Sequence, residues 1–244
     1  MITLENIKSN KEIIALINTS CECLEALNYT EHGIRHANIV SSTAGKILSA
    51  LGYNQKDIEL AKIAGYVHDV GNAVNRKNHG VTGALLVYPI LKEMGMPYED
   101  INIITSAIGN HEEEIGTTVN HVSAAVIIAD KSDAHRTRVK KGNYDPDDIH
   151  DRVNYSIKKN FIVIDEKART ISSKFYMTEE SSVMEFFQIY MSRIDMSEKA
   201  SKFLECSFKL YINDTRINSS KRLSPSMIAE IESKNSNNND ILKS

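Results

Sequence analysis

The stretch GYVHDVGN, Gly65 to Asn72, ends an apolar helical run in an adjacent His68 and Asp69. Both side chains bind metal ions readily, and neither belongs on a helix surface as Leu or Lys would. Eight histidines occur, at positions 32, 36, 68, 79, 111, 121, 135 and 150. Five segments carry the informative ones: His36 in RHANIV, His68 with Asp69, His79 opening HGVTGALL, His111 closing SAIGNH, and Asp130 in ADKSD. Each falls on, or one step beside, the apolar side of its segment, so a bundle would aim all of them at one interior. Singly, a histidine near an apolar face is a core residue and an aspartate at a helix end is a cap. Together, four imidazoles and two carboxylates, with no Lys or Arg read as neutralising them, form an unfavourable buried set that divalent or trivalent metal ions relieve.

The elements that must position these groups are helical. From Ile2 to about Val139 apolar residues recur at helical spacing, as in Ile34, Ala37, Val40, Ala44, Ile47 and Leu51. Breakers fall between the segments, at Gly33, Gly52, Gly95, Pro97 and Gly116. After the loop KKGNYDPDD the period changes: Val153, Tyr155 and Ile157 alternate with polar residues, and Phe161 to Ile164 and Thr170 to Tyr176 flank a polar turn. A helical stretch from about Glu180 to Leu204 follows, then an alternating Phe208, Leu210 and Ile212. The expected fold is mainly α: a helical bundle over residues 1–142, then a small α+β unit with an antiparallel sheet over residues 151–218. Residues 219–244, polar and Asn-rich, read as a disordered tail.

Composition narrows the function. With 29 basic against 32 acidic residues and a net charge of -3, the chain has no overall field to attract a nucleic-acid backbone or anionic lipid. Small molecules are the expected partners, with no nucleic acid and no membrane. Neither a signal-peptide core nor a run of about 18 apolar residues is found, which makes the cytoplasm the expected location. Cys21, Cys23 and Cys206 lack metal-ribbon spacing, and the first two would point about 200° apart on a helix, so all three read as packing residues.

The set His36, His68, Asp69, His79, His111 and Asp130, in this order and with these flanking residues, resembles the HD-domain superfamily of metal-dependent phosphohydrolases, in its two-metal branch. The resemblance covers about residues 30–138, and the layout is similar to that of HD-type diadenosine tetraphosphatases, although the C-terminal unit has no counterpart there. It implies that His36, His68, Asp69 and Asp130 hold one metal and that Asp69 bridges to a second held by His79 and His111. Two ions about 3.5–4 Å apart can bind a phosphoryl oxygen and lower the pKa of a bridging water, which suits in-line displacement at phosphorus. A mixed His and carboxylate set suits iron or manganese first, with zinc, cobalt and nickel also compatible, over magnesium or calcium.

Further residues have two readings each. Asp133, one turn after Asp130, joins Asp69 and Asp130 as a catalytic candidate by orienting a ligand or a water, or else it pairs with Arg136. Lys131 and Arg136 are candidates for substrate phosphate, as is Asn72, which stands where many members of the superfamily carry Lys in H-D-x-x-K. An amide cannot neutralise phosphate, so Arg76, Lys77 or Lys131 would supply the charge. Arg35 and Arg138 read as solvated or phosphate-facing. His32 stands four residues before His36, but Gly33 replaces the Glu of a zinc-protease helix. The run HEEE after Asn110 reads as a solvated turn.

The leading expectation is a phosphohydrolase acting on a nucleotide or related phosphoester. A mixed-valent di-iron oxygenase on the same ligands, and a non-catalytic nucleotide-sensing module, stay open beside it. The C-terminal strands offer short edges through which a homodimer could form.

Overall fold

The computed structural model describes residues 2–27, 29, 31–139 and 144–218. The tail expected at residues 219–244 lies outside them. The helical half consists of α1 (Leu4–Lys8), α2 (Lys11–Ala26), α3 (Ile34–Ala50), α4 (Gln55–Val67), α5 (His79–Glu93), α6 (Tyr98–Gly109) and α7 (His121–Ser132). Short 3-10 turns occupy Val70–Ala73 and Arg136–Arg138. An asparagine side chain caps three of these helices: Asn10, Asn54 and Asn120 each turn a side-chain oxygen onto a backbone N–H in the first turn, supplying a partner that the helix itself cannot. The apolar stripe read across Ala37, Val40, Ala44 and Ile47 is fully buried or nearly so. Every residue of α7 from Val122 to Ala129 is buried, so this helix runs through the middle of the bundle with α3, α4 and α6 packed around it.

The C-terminal half comprises α8 (Ile149–Ser156), β1 (Ile157–Asp165), β2 (Thr170–Met177), α9 (Val183–Phe203), β3 (Ser207–Ile212) and β4 (Thr215–Arg216). Two expectations are corrected here. Val153 and Tyr155 lie in a helix, not a strand: Asp148 caps α8 by accepting from the His150 N–H, and the alternation of apolar residues there is too short to separate the two periods. The sheet, ordered β1-β2-β3-β4, is mixed and not wholly antiparallel. The β1–β2 and β3–β4 pairs are antiparallel, but β3 runs parallel to β2. The cause is α9, whose 21 residues carry the chain back to the end at which β2 began. Ser182 and Glu185 fix its start with a reciprocal capping box.

One apolar cluster fills the bundle, and it does not stop there. Ile171 from β2, Met196, Ala200 and Leu204 from α9 with its following turn, and Cys206 belong to the same buried cluster as Val40, Ile63 and Ile127. A smaller cluster around Phe175, Phe186, Tyr190 and Leu210 fills the space between α9 and the sheet. None of the three cysteines forms a disulfide, and Cys206 packs in the larger core.

Candidate metal centre

Each proposed ligand sits where a helix begins, ends or crosses another closely. His36 lies in the first turn of α3 and His68 closes α4. These helices approach because Gly65 has no side chain: a Cβ there would stand 3.0 Å from the Ser41 backbone. His36 Nε2 and His68 Nε2 are thereby 3.2 Å apart. Asp69 precedes the 3-10 turn at Val70–Ala73, which lies flat against α5 at Gly71, where a Cβ would fall 1.9 Å from the carbonyl oxygen of His79. Asn78, at φ 59, takes the left-handed conformation that asparagine tolerates and sets His79 as the first residue of α5. His111 follows α6, with its Nε2 3.0 Å from His79 Nε2. Asp130 comes from the last turn of α7.

The hydrogen bonds behind the imidazoles fix which nitrogen faces inward. His68 Nδ1 is 2.9 Å from the Gly65 carbonyl, His79 Nδ1 2.9 Å from that of Arg76, and His111 Nδ1 2.6 Å from that of Ile108. His36 Nδ1 is 2.7 Å from Asp133 Oδ2. Each Nδ1 therefore carries the proton, and the four Nε2 lone pairs point to the centre. The carboxylates divide between them. Asp69 Oδ1 is 3.2 Å from His79 Nε2 and 3.6 Å from His111 Nε2, while its Oδ2 is 3.5 and 3.4 Å from His36 and His68. Asp130 Oδ1 faces His36 and His68 at 3.4 and 3.7 Å. Acceptors thus face acceptors, and Asp69 Oδ2 is buried with no hydrogen-bond partner. This donor set fits metal ions; His36, His68 and Asp130 form one such group, and His68, Asp69 and His111 another, each within 4.8 Å.

The cluster's demand for positive charge is visible in its titration. Burial disfavours a charged His68, yet the neighbouring Asp69 and Asp130 carboxylates push its pKa up to about 10, so that without an ion this ring takes on the positive charge that a metal would otherwise supply. Burial also opposes charge on Asp69 and Asp130, but His68 beside the first and Lys131 beside the second hold both well below the usual carboxylate range. The expectation that no Lys or Arg stands near is corrected: Lys131 Nζ is 2.6 Å from Asp130 Oδ2 and 3.1 Å from Glu113 Oε1.

Other sequence candidates take different places. Asp133 does not face the centre; it holds His36 from behind and accepts from Arg35 at 3.1 Å, rather than pairing with Arg136. Burial would raise its carboxyl, but the His36 hydrogen bond and the Arg138 and Arg35 charges hold it low. Asn72 is turned onto Asp69, donating to Oδ1 at 3.1 Å and to the backbone oxygen at 2.9 Å, and so positions a carboxylate instead of facing substrate. Arg136 points away, to the Tyr155 carbonyl at 2.9 Å and over the Tyr155 ring. Lys131 lines the same cavity as Asp69, His79, His111 and Asp130. Three groups were missed. Glu112, read as part of a solvated turn, is buried and accepts from Gly80 N–H at 2.6 Å, with His79 Nδ1 at 3.1 Å. Glu113 binds Lys131 and Arg193, whose charges bring it down to about 2 against the cost of burial. Arg193, from α9, reaches the same cavity, and no spacing in the sequence joins it to the histidines.

Comparison with known proteins supplies the family. Residues 31–140 match the family model described as HD domain. Ribonuclease Y of Staphylococcus epidermidis is 32% identical over 114 residues, which cover 47% of this chain and 20% of that protein. Ribonuclease Y of Oceanobacillus iheyensis is 30% identical over 110 residues, 45% of this chain and 19% of that one. An uncharacterized protein of Methanocaldococcus jannaschii is 27% identical over 160 residues, 57% of this chain and 61% of that protein. The chain therefore spans about one fifth of the length of the ribonuclease Y proteins it matches. A metal-dependent, hydrolase-type chemistry is what the family match and the buried cluster support together. No helix among the described residues is long and apolar enough to cross a membrane.

Proposed function

We propose, from the premise that residues 31–140 are an HD domain, that this chain is a phosphohydrolase that cleaves a phosphoester or phosphoanhydride of a nucleotide or related small molecule. The observation that carries the reading is the split carboxylate of Asp69, one oxygen turned to His79 and His111 and the other to His36 and His68. In this reading Asp69 would be shared between two ions, of which His36, His68 and Asp130 could hold one and His79 and His111 the other. Such a pair, when bound, polarises a phosphoryl oxygen and supplies hydroxide near neutral pH. The chain's own residues do the rest. Asp133 fixes the ring of His36, Asn72 holds the Asp69 carboxylate, Glu112 braces His79, and Lys131 balances the charge of Asp130. Mixed imidazole and carboxylate donors suit iron, manganese, zinc, cobalt or nickel over magnesium or calcium, and of these iron or manganese is our proposal.

A second substrate class has one observation behind it. Two of the relatives are named ribonuclease Y, which brings the phosphodiester of RNA into consideration against the expectation from net charge. The deciding experiment is metal analysis of the purified chain, followed by a product screen over mononucleotides, dinucleoside polyphosphates, cyclic dinucleotides, guanosine tetraphosphate and short RNA. Turnover of a small phosphoester that stops with chelator supports the proposal. A fully metallated protein that cleaves none of them but consumes oxygen with an alcohol or phosphonate would falsify it in favour of the oxygenase, and intact bound nucleotide without turnover would favour the sensor.

A further inference from the structure

We infer that Arg193 of α9 and Arg76 form a phosphate clamp at the mouth of the histidine and aspartate cluster. The ligand it serves is the ester of a single phosphate, whose organic part lies in the cleft between the end of α2 and the helices α8 and α9. The inference rests on the hydrolase reading and adds to it the class of substrate.

Two cavities meet at these arginines. The inner one is lined by Asp69, His79, His111 and Asp130, and the outer by Tyr29, Asp151, Ile189 and Tyr190; Arg76, Arg193 and His32 line both. The cavities adjoin at these residues, and the inner one, of about 10 Å³, has room for no more than a water-sized group, so a phosphate would sit at the guanidinium groups and reach the cluster with a single oxygen.

The surrounding charges single out this pair. Lys131 is engaged by two carboxylates, those of Asp130 and Glu113. Arg138 is held within the fold, by the carbonyls of Glu31 and Asp133 and by His32 Nε2 at 2.7 Å. Arg76, in contrast, makes its bonds to neutral atoms: its Nη1 is 3.3 Å from Asn72 Oδ1 and 3.4 Å from His79 Nε2, and its guanidinium lies over the ring of Tyr29 at 5.4 Å. Arg193 is set in place by Glu113 at 3.2 Å through Nε and by the ring of Tyr190 at 4.9 Å, and Glu113 is already shared with Lys131. Two oriented guanidinium groups with incomplete neutralisation, next to a cluster that fits metal ions, form a site for an oxyanion.

The outer compartment sets the rest of the ligand. It offers the carboxylates of Asp148 and Asp151 and the exposed ring of Tyr29, while Tyr190, buried against Phe186 and beneath Arg193, and Asn154, which accepts from the Tyr190 hydroxyl, form its wall. Carboxylates accept from hydroxyl and amino groups and repel a second phosphate, and the Tyr29 ring supplies a face for a flat apolar group. A nucleoside monophosphate has this combination; a polyphosphate or an RNA strand would place further negative charge beside Asp148 and Asp151.

The test uses the full chain loaded with manganese. Inorganic phosphate binding is measured by calorimetry, and turnover is measured with adenosine monophosphate, adenosine diphosphate and short RNA. Arg193→Gln and Arg76→Gln are each expected to weaken phosphate binding and raise KM by about tenfold or more with the bound metal unchanged, and Arg193→Lys to recover part of the loss. Asp151→Asn is expected to shift the ratio of KM values toward the diphosphate. An unchanged phosphate affinity in both arginine variants, or in Arg193→Lys and Arg76→Lys should the glutamine variants fail to fold, overturns the clamp. A preference of the unaltered protein for the diphosphate or RNA overturns the single-phosphate assignment. If the unaltered protein turns over no phosphoester, the hydrolase reading fails, while loss of phosphate binding in the variants still judges the clamp.

Discussion

Asp133 Oδ2 lies 2.7 Å from His36 Nδ1, and this is the one ring among the four whose rear nitrogen is held by a side chain alone. His68 and His111 take their orientation from backbone carbonyls three residues earlier, and His79 from such a carbonyl together with Glu112. Removing the carboxylate from His36 is therefore expected to loosen one ligand without moving a helix. Asp133→Ala should weaken metal binding at the His36 side by about 10- to 100-fold, with secondary structure intact. Metal titration followed by circular dichroism checks this, and an unaltered affinity would show that packing alone holds the ring.

Asp69 turns one oxygen to each half of the cluster. Substituting His79→Ala or His111→Ala should remove one metal equivalent, whereas Asp69→Ala should remove both, because its oxygens face both histidine pairs. Elemental analysis after saturation with manganese gives the stoichiometry directly. Equal losses in all three variants would rule out a shared carboxylate.

Added metal should also hold the fold together. Six groups of acceptor character converge here, so an ion that binds the folded chain and not the unfolded one raises the melting temperature with concentration. At a free concentration near one hundred times Kd the gain is about 2.7 kcal/mol. A thermal scan with and without chelator reads it, and coincident curves would remove the ion from the folded state.

Gly71 can be tested without any substrate. Its missing Cβ lets the Val70–Ala73 turn lie against α5, where the nearest obstacle is backbone and cannot rotate aside. Gly71→Ala should cost about 1–3 kcal/mol or more of stability and move Asp69 relative to His79. Denaturant unfolding measures the first effect and metal affinity the second; a variant normal in both would mean the turn yields freely.

If water attacks phosphorus, hydrolysis in oxygen-18 water should place one label in the phosphate released. Asp69→Asn should abolish that turnover, since a neutral amide cannot balance two cations. Label in the alcohol product would instead indicate cleavage on the carbon side.

Much of the cluster was legible because His36, His68, His79, His111 and Asp130 each interrupt an apolar stripe, a pattern that marks burial whatever the tertiary contacts. The β1–β2 hairpin and α9 were legible for a similar reason, since both keep a clear period. What failed depended on contacts between distant segments. The parallel pairing of β2 with β3 follows from where α9 returns the chain, which no local pattern states. Arg193 stands in line with the buried Phe186, Tyr190 and Ser197 of α9, a face that reads as core, and Arg136 in a short turn; only the fold turns one toward the cluster and the other toward Tyr155. Glu112 was misread because three adjacent glutamates suggest solvent, although Gly80 and His79 bury the first of them.

The match to the HD-domain family model ends at residue 140, but the apolar interior of the bundle does not. Ile171, Met196, Ala200 and Leu204 complete it from beyond that limit. The segment that matches the family model and the segment that closes the core are therefore different lengths of chain. A graft of residues 31–140 onto another protein would carry the histidine and aspartate cluster with one side of its housing open.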